Sequence, residues 1–422
     1  MILAHGTVYE DSHLPRLLAS LEKDCLDTID RESIDTELVI AACDALAKQV
    51  AAGAYDHILL PFLKDFHINR EQFRSALSLF TRESLEYKVA MELGAEPDTL
   101  RHQGFAPIRR QRRPLGVLFH IAAGNVDGLP AYSVVEGLLA GNVNILKLPS
   151  MDHGASLLLL RELVTLEPRL KNFVSVFDVP STDLQSLETF ARIADGVVVW
   201  GGDQAVSAAR QMAGPDTKII SWGHKLSFAY VSGQPEEKEL EALAGHICAT
   251  RQLLCSSCQG IFIDSDDFKD ITAFAERFFQ VLQTVDRQYP PADVGLRAKA
   301  TLHLYNEELE AHRTGRRVLR SGGVSVTACP DSKLELGWLG GNIWVKPLPR
   351  ENIVPALKPM KGYLQTAGLL CPAQERPLLS GKLARAGLVR ITEAGEMSRT
   401  IPGEAHDGTY PLREYSRIVE IA

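Results

Sequence analysis

The pattern of apolar positions changes about one hundred residues into the chain. Before that point, apolar side chains recur every three or four residues, as at Leu14, Leu17, Leu18 and Leu21, and this spacing predicts amphipathic helices. After it, short apolar runs alternate with amphipathic segments. We therefore expect a helical lead-in followed by a region of different architecture.

The alternating region predicts an α/β domain. The apolar runs that we interpret as strands lie at 115–121, 143–148, 173–176, 197–200 and 218–221, with helices near 128–140, 153–166, 182–193 and 203–213. Strands that alternate with helices form βαβ units and a parallel sheet covered on both faces. Five such strands favour a doubly wound, nucleotide-binding type of domain. Because that architecture hosts many activities, function has to be argued from side chains.

A second α/β pattern follows the first. It is predicted from a helix at 236–250, a strand at 260–264, a helix near 266–284, and short strands near 323–327 and 342–346. The polar segment SGQPEE interrupts the pattern, so we place a domain boundary near 225–235. The last twenty residues are predicted to hold a loop and a closing strand at 416–421.

Composition narrows the class of protein. The 422 residues include 53 acidic and 45 basic side chains, and the net charge of −8 argues against nucleic-acid binding. No apolar stretch approaches the roughly 18 residues of a membrane span. The first residues lack the basic and apolar regions of a secretory signal peptide, and the seven scattered cysteines are typical of reduced thiols. We expect a cytoplasmic protein.

Cys255 is the candidate nucleophile. It follows a predicted helix and precedes a predicted strand, so it lies in a turn, where a thiol can stand near solvent and backbone N–H groups. A thiolate attacks carbonyl and thioester carbon. Two other interpretations are a buried structural cysteine and a metal or redox pair with Cys258. A zinc site would need two further ligands, and the nearby Cys248 and His246 lie on the preceding helix.

Polar residues at predicted strand ends are candidates for binding. Asn125 could donate a hydrogen bond to an oxyanion, or cap the helix that starts near 128. Lys147 could reach a ribose hydroxyl or a phosphate, or extend along the surface into solvent. Gly201 and Gly202 precede a helix whose N-terminus attracts phosphate, although tight packing or capping by Asp203 explains them equally well.

A dense basic run precedes the first strand of the α/β region. It is either a solvated loop or strand edge, or a contact for cofactor phosphates or an acidic carrier protein. Its members are Arg109, Arg110, Arg112 and Arg113.

Taken in order, several blocks resemble the aldehyde dehydrogenase superfamily. Its P-x-G-V-x(3)-I-x(3)-N turn matches 114–125, its strand ending in Lys matches 144–147, its G-S-T-E turn falls at 201–204, and its E-L-G-G-K strand end falls at 221–225. Cys255 lies 34 residues after Ser221, as the superfamily's nucleophile spacing implies.

Finer detail resembles one family within it, the fatty-acyl-CoA reductases of bacterial bioluminescence (LuxC-type). The shared segments are Trp-Gly-Gly-Asp at 200–203, Trp-Gly-His-Lys at 222–225, Cys-Ser-Ser at 255–257, Gly-Tyr-Leu-Gln-Thr at 362–366 and His-Asp-Gly at 406–408. The resemblance runs from about residue 105 to the C-terminus.

The resemblance implies a fold and its division into domains. The fold is aldehyde-dehydrogenase-like: two doubly wound α/β domains with a helical N-terminal lead-in and a C-terminal oligomerisation strand. We expect a helical lead-in at 1–104 that is part of the cofactor domain, and a Rossmann-like nucleotide-binding domain at 105–228. A catalytic domain with the nucleophilic cysteine would follow at 229–400, and a C-terminal loop and strand at 401–422.

It also implies roles for single residues. Cys255 would form an acyl thioester, and Asn125 with the backbone N–H of Cys255 would form the oxyanion hole. Lys147 and Ser150 would hold the adenosine ribose of the cofactor. The cofactor site would also include Gly201 and Gly202, which border the pyrophosphate, and Gly223. His224 and His406 are candidate proton donors.

Three departures from the superfamily pattern refine the expectation. Ser221 replaces a Glu that activates water in hydrolytic members, and Ser is a poor base at neutral pH, so the acyl-enzyme should resist water. Ser150 replaces a Glu that would repel a 2′-phosphate, which favours NADPH, with NADH as the other possibility. The superfamily's E-x-F-G-P segment is not found, so the nicotinamide ribose has no assigned partner.

These features lead to one functional hypothesis and its alternatives. We expect an oxidoreductase without a metal that reduces an acyl-CoA, or a carrier-bound acyl thioester, to the aldehyde. The alternatives are reduction of an acyl phosphate, as in glutamyl-phosphate reductase; a non-redox acyltransferase or acyl carrier; and a zinc protein built on Cys248, Cys255 and Cys258. The resemblance further implies a homo-oligomer and makes an acyl-protein synthetase conceivable as a partner.

Overall fold

The computed structural model describes residues 1–57, 77–94, 99–101, 103–104, 106–122, 128–150, 152 and 154–422. They form two compact units, the first made of Met1–Gly223 with Ile401–Ala422 and the second of His224–Thr400. Within these residues, every helix is too short or too polar to cross a membrane.

The first unit contains seven described helices before its C-terminal segment. They are α1 (Leu14–Arg31), α2 (Thr36–Ala51), α3 (Arg82–Leu93), α4 (Leu129–Leu139), α5 (Ala155–Leu166), α6 (Leu184–Ile193) and α7 (Asp203–Met212). Its strands before that segment are β1 (Ile2–Ala4), β2 (Thr7–Tyr9), β3 (Thr99–Leu100), β4 (Ile108–Pro114), β5 (Val117–Ile121), β6 (Val143–Lys147), β7 (Val174–Phe177), β8 (Gly196–Trp200) and β9 (Lys218–Trp222).

A seven-stranded sheet forms the core of the first unit, in the order β2-β1-β7-β6-β5-β8-β9. The five predicted strands are confirmed as β5 to β9, and they pair in parallel. The chain builds β6 and β7 on one side of β5 and then crosses to build β8 and β9 on the other. The strand order therefore reverses between β5 and β8, where sheets of this kind bind ligands.

The prediction of a purely helical lead-in was wrong at its start. Residues 1–9 form the hairpin β1–β2, and β1 adds to the sheet antiparallel to β7. Strands of three residues are too short to show an alternating pattern, whereas α1, α2 and α3 are long enough to show the helical one.

The second unit contains five helices and seven strands in its described residues. The helices are α8 (Glu237–Thr250), α9 (Phe268–Asp286), α10 (Val294–Thr314), α11 (Ile353–Leu357) and α12 (Arg376–Ala386). The strands are β10 (Leu226–Val231), β11 (Cys258–Ile263), β12 (Arg317–Ser321), β13 (Val324–Ala328), β14 (Asn342–Pro347), β15 (Leu364–Leu370) and β16 (Arg390–Glu393).

These strands form a second sheet in the order β12-β13-β14-β11-β10-β15-β16. Strands β13, β14, β11, β10, β15 and β16 pair in parallel, and β12 is antiparallel to β13. Strand β10 starts in the stretch where we placed a boundary, before SGQPEE, and all six of its residues are buried. The apolar residues just before SGQPEE therefore belong to an interior strand of the second sheet, β10, and not to a linker between domains.

The chain returns to the first unit for its last residues. The predicted closing strand is confirmed as β17 (Ser416–Ile421), which pairs with β4, and β4 also pairs with β3. The basic run lies on β4, so it occupies the middle strand of this small sheet rather than an edge. Arg112 donates to Ser416 Oγ at 3.1 Å, and Arg110 lies 3.6 Å from Glu420.

A buried ionic cluster joins α3, α4 and the C-terminal segment. Lys88 Nζ lies 2.5 Å from Glu92 Oε1 and 2.9 Å from Glu136 Oε1, and all three side chains are almost fully buried. Glu92 Oε2 also accepts a hydrogen bond from the backbone N–H of Leu412 at 2.8 Å. Burial opposes the charge of Lys88, but the two carboxylates outweigh it and raise the pKa of the ammonium.

Removing this buried ammonium should destabilise the first unit. Lys88→Met would leave two carboxylates without their partner in a dry site, so we expect a loss of about 3–5 kcal/mol in the free energy of unfolding. Lys48→Met is the matched control, since Lys48 pairs with Asp44 but its side chain is 75 % exposed. Chemical denaturation followed by circular dichroism measures both, and equal small losses would contradict the role of the cluster.

Candidate active site

The turn that carries Cys255 begins with two left-handed residues. Helix α8 ends at Thr250, and Arg251 and Gln252 then take φ values of 48° and 64°. A non-glycine residue in this region costs roughly 1 kcal/mol or more, so such a turn persists only where its surroundings hold it. Cys255 follows in a short loop before β11, and it is exposed.

The amide of Gln252 fixes this turn. Its Oε1 accepts from the backbone N–H groups of Gly341 and Asn342, both at 3.1 Å, and its Nε2 donates to the carbonyl of Asn342 at 3.2 Å. Gln259 also holds this turn in place. Its Nε2 donates to the carbonyl of Gln252 at 3.1 Å, and its Oε1 accepts from the backbone N–H of Gly337. Both glutamine side chains are buried, so these bonds form away from water.

A histidine and two buried thiols also surround the loop that carries Cys255. His246 Nε2 accepts from the backbone N–H of Cys258 at 3.2 Å, and burial lowers the pKa of this imidazole to about 4, so it stays neutral. Burial raises the pKa of the Cys248 and Cys258 thiols to about 12, so both stay protonated. Across the described ranges, no three His, Cys, Asp or Glu side chains gather in a way that could hold a metal ion.

Cys255 receives a hydrogen bond from a strand far along the chain. Gln365, near the start of β15, donates from Nε2 to Cys255 Sγ at 3.3 Å. Ser227, near the start of β10, donates to the carbonyl of Cys255 at 2.7 Å and accepts from Thr366 N–H at 3.1 Å. An N–H group aimed at sulfur favours the thiolate. Sequence reasoning gave Gln365 no role, although the segment 362–366 was part of the resemblance.

These residues share one edge of the second sheet. Cys255 precedes β11, Ser227 opens β10 and Gln365 opens β15, and these three strands are neighbours and parallel. The exposed thiol therefore stands at the amino ends of the strands, with donors from two neighbouring strands around it. A thiol in such a place can act as a nucleophile toward carbonyl carbon.

The predicted binding residues of the first unit lie at the carboxyl ends of its strands, whereas Cys255 lies at the amino ends of strands in the second unit. Lys147 ends β6 and Gly201 follows β8, so both lie at carboxyl ends on either side of β5. Lys147 Nζ donates to Ser181 Oγ at 3.0 Å, and partial burial lowers the pKa of this ammonium. Ser150 lies three residues beyond β6 and is exposed. This edge is also where the strand order reverses.

The two glycines before α7 differ in the room around them, because a Cβ added at Gly201 would lie 3.1 Å from the Cβ of Ala205. Gly202 precedes the helix without a side-chain cap, and a Cβ added there would meet no atom within 4 Å. Asp203 sits in the first turn of the same helix, where a carboxylate favours the helix end itself. The helix start therefore has open space at Gly202 and a carboxylate in its first turn.

Three segments from the sequence resemblance meet beside these glycines. The rings of Trp200 and Trp222 have centroids 5.5 Å apart, and the ring of His406 lies 5.1 Å from each. Trp200 also donates from Nε1 to Ser133 Oγ at 3.1 Å. Gly223 follows Trp222 as the last residue before the second unit, and the exposed His224 opens that unit. The candidate oxyanion residue Asn125 lies outside the described residues.

The contact between Gln365 and the thiol predicts how Cys255 reacts. Replacing the amide by an alkyl group removes a donor to sulfur, so Gln365→Leu should slow alkylation of Cys255 by iodoacetamide at pH 7 about tenfold. The alkylation profile should move to higher pH. Peptide mapping gives the rate at this one thiol.

Gln288→Leu, at an exposed position, is the matched control and should alkylate like the unaltered chain. An unchanged profile in Gln365→Leu would show that the amide does not act on the sulfur.

Comparison with solved structures identifies the fold. Aldehyde dehydrogenase 21 from Physcomitrella patens superposes with a TM-score of 0.74 at 10 % identity, covering 98 % of this chain and 90 % of that one. A benzaldehyde dehydrogenase from Corynebacterium glutamicum gives 0.69 at 12 % identity, covering 99 % and 91 %. The predicted aldehyde-dehydrogenase-like fold is confirmed.

Comparison with known sequences gives the family. The long-chain acyl-protein thioester reductase of Aliivibrio fischeri is 25 % identical over 315 residues, 73 % of this chain and 64 % of that protein. The Vibrio harveyi protein of the same name is 24 % identical over 365 residues, 82 % and 72 % of the two chains. This chain thus spans less than two thirds of the Aliivibrio relative. A family model described as acyl-CoA reductase (LuxC) matches residues 32–418, and the chain belongs to that family.

Proposed function

We propose that this chain reduces an acyl thioester to the aldehyde by way of an acyl group carried on Cys255. One observation carries the proposal: the exposed thiol of Cys255, in a turn held by buried hydrogen bonds, accepts a hydrogen bond from the Gln365 amide. Relatives named long-chain acyl-protein thioester reductases support an acyl thioester as the substrate class. The acyl donor would be coenzyme A or a carrier protein.

The first step moves the acyl group onto the protein. The Cys255 thiolate attacks the thioester carbonyl carbon, a new C–S bond forms, and the donor thiol leaves and takes up a proton. Hydrogen-bond donors near the developing oxyanion would lower this barrier. The assignment of Asn125 and the backbone N–H of Cys255 to that task stays a prediction.

The second step converts the acyl group into aldehyde. Hydride for the acyl carbon would come from a nicotinamide cofactor held by the residues of the first unit. When the resulting hemithioacetal collapses, the C–S bond breaks, aldehyde leaves and the Cys255 thiolate is regenerated. His224 and His406 remain candidates for the proton steps. Ser221, in place of the Glu of hydrolytic relatives, supports this route because a hydroxyl is too weak a base to activate water against the thioester.

The first unit has residues that fit a dinucleotide. Lys147 ends β6 and Ser150 follows it, the turn at Gly201 and Gly202 follows β8, and the strand order reverses between β5 and β8. Lys147 would meet the adenosine ribose, and Gly223 would belong to the same site. The absence of a carboxylate at Ser150 leaves space for a 2′-phosphate, so we propose NADPH. We further propose a cytoplasmic enzyme that forms homo-oligomers and works beside an acyl-protein synthetase.

Removal of the thiol tests the mechanism. Cys255→Ala should lose acyl-CoA reduction by at least about a thousandfold, because no other group on the chain would carry the acyl intermediate. Cys371→Ala, at a partly buried thiol, is the control and should keep activity. The assay follows NADPH absorbance and product aldehyde with a panel of acyl-CoAs.

Near-normal reduction by Cys255→Ala would overturn the thioester mechanism. Activity with acyl phosphate but not with acyl-CoA would point to the acyl-phosphate reductase alternative. Acyl transfer without any NAD(P)H binding would point to a non-redox acyltransferase.

A carboxylate at residue 150 tests the cofactor preference. Ser150→Glu should weaken NADPH binding about tenfold or more relative to NADH, because a carboxylate repels a 2′-phosphate and accepts from a free ribose diol. Ser150→Gln, of the same length but uncharged, should change the preference less. Fluorescence titration with both dinucleotides measures the ratio. If the ratio does not move in Ser150→Glu, this residue does not face the ribose.

A further inference from the structure

A pocket of about 270 Å³ opens in the second unit between helix α10 and the hairpin that joins β12 to β13. Its helix wall includes Arg297 and Thr301, and its hairpin wall is formed by residues 320–324. Two of the residues that line it are arginines, Arg297 and Arg320, and none of its described lining residues is acidic. The pocket therefore presents positive charge and hydrogen-bond donors to a ligand.

The two arginines differ in how much of their charge is already used. Arg320 Nε lies 2.6 Å from Glu308 Oε1, and its guanidinium carbon lies 4.2 Å from the centre of the Tyr305 ring, so this charge is shared within the chain. Arg297 is exposed, and within the described part of the chain it forms no ion pair. The free positive charge of the pocket is thus that of Arg297, and it favours an anion.

The hairpin supplies a neutral donor and open space. Ser321 Oγ accepts a hydrogen bond from Gln283 Nε2 at 2.6 Å, so the hydroxyl hydrogen of Ser321 remains able to donate to a ligand. A Cβ added at the neighbouring Gly322 would meet no atom within 4 Å. An oxyanion in the pocket can therefore accept from both a guanidinium and a hydroxyl group.

A carboxylate beside the hairpin does not oppose this charge. Asp286 lies close to Gly323, since a Cβ added there would be 3.7 Å from Asp286 Oδ2. Its other oxygen, Oδ1, pairs with Arg251 at 2.7 Å. An anion in the pocket would thus have a compensated carboxylate as its neighbour rather than a free one.

The pocket lies at the same edge of the second sheet as Cys255. It is lined by Val324 and Asn342, the first residues of β13 and β14, and β14 is the neighbour of β11, before which Cys255 lies. Asn342 also exchanges hydrogen bonds with Gln252, in the turn that carries the thiol. The three strands start in register, so with adjacent strands about 4.8 Å apart the amino ends of β13 and β11 are separated by about 10 Å.

We propose that this pocket binds the phosphate of a 4′-phosphopantetheine arm, the group that coenzyme A and phosphopantetheinylated carrier proteins share. The inference rests on the proposed function, since this arm bears the thioester in either acyl donor. An extended pantetheine arm is longer than the separation of these strand ends, so its phosphate can lie in the pocket while its thioester reaches Cys255. A contact with the phosphate, far from the reacting carbon, adds binding energy and orients the thioester.

A matched pair of substrates tests the proposal. Acyl-phosphopantetheine and acyl-pantetheine differ only in the phosphate, and the unaltered chain should show a KM about tenfold lower for the phosphorylated one. Arg297→Leu should raise that KM about tenfold, keep kcat within about twofold, and leave both constants for acyl-pantetheine unchanged. Lys299→Leu removes an exposed cation from the same helix outside the pocket, so it is the matched control and should behave like the unaltered chain.

Two larger donors identify the source of the arm. Acyl-CoA and an acylated acyl carrier protein both contain it, and Arg297→Leu should raise the KM about tenfold for each donor that places its phosphate in the pocket. A rise for one donor alone assigns the arm to that donor. An unchanged KM for every phosphorylated donor, or an equal rise for acyl-pantetheine, would overturn the proposal.

Binding without reaction separates this inference from the proposed function. Isothermal titration under reducing conditions should show 4′-phosphopantetheine binding about tenfold more tightly than pantetheine, a difference lost in Arg297→Leu and largely kept in Arg297→Lys. If this difference is present but no thioester is reduced, the pocket assignment stands and the proposed function fails. If thioesters are reduced through Cys255 but the difference is absent, the proposed function stands and the pocket assignment is wrong.

Discussion

The position of the exposed Cys255 thiol depends on the hydrogen bonds of one buried side chain, the amide of Gln252. The chain leaves α8 through two residues with positive φ, and this turn brings Cys255 to the surface before β11 starts. Gln252 accepts from Gly341 and Asn342 and donates to Asn342, so each end of the amide is occupied. A shorter side chain could not span this distance, and an apolar one would leave buried backbone groups unpaired.

The two units use opposite edges of similar sheets. In the first unit, Lys147 and Gly201 lie at the carboxyl ends of β6 and β8, where a doubly wound sheet offers a crevice at its reversal of order. In the second unit, the thiol lies at the amino ends of β10, β11 and β15, where Gln365 donates to the sulfur of Cys255 and Ser227 donates to its backbone carbonyl. The same layered packing thus presents two chemically different edges, one with an ammonium and paired glycines and one with an exposed thiol.

Buried polar groups fix each unit in one arrangement. The neutral His246 and the paired glutamines hold the loop before β11, and the Lys88 cluster holds the C-terminal segment to α3 and α4. Such groups are costly to bury when incompletely satisfied, so they favour the single packing that satisfies them. A rigid loop is what a nucleophile needs, because the attacking atom must be held close to the carbonyl carbon.

The sequence by itself determined the elements whose pattern is local. The strands β5, β6 and β8 are buried along almost their whole length and are mostly apolar, and Cys255, Lys147 and the paired glycines stand near the ends of elements that such a pattern predicts. Only the tertiary structure decided the hairpin β1–β2, the interior place of β10, the middle position of the basic strand β4, and the contact of Gln365 with a thiol 110 residues away. Periodicity reports which face of a helix or strand is buried, but pairing between distant segments depends on how whole layers pack, and no local pattern encodes that.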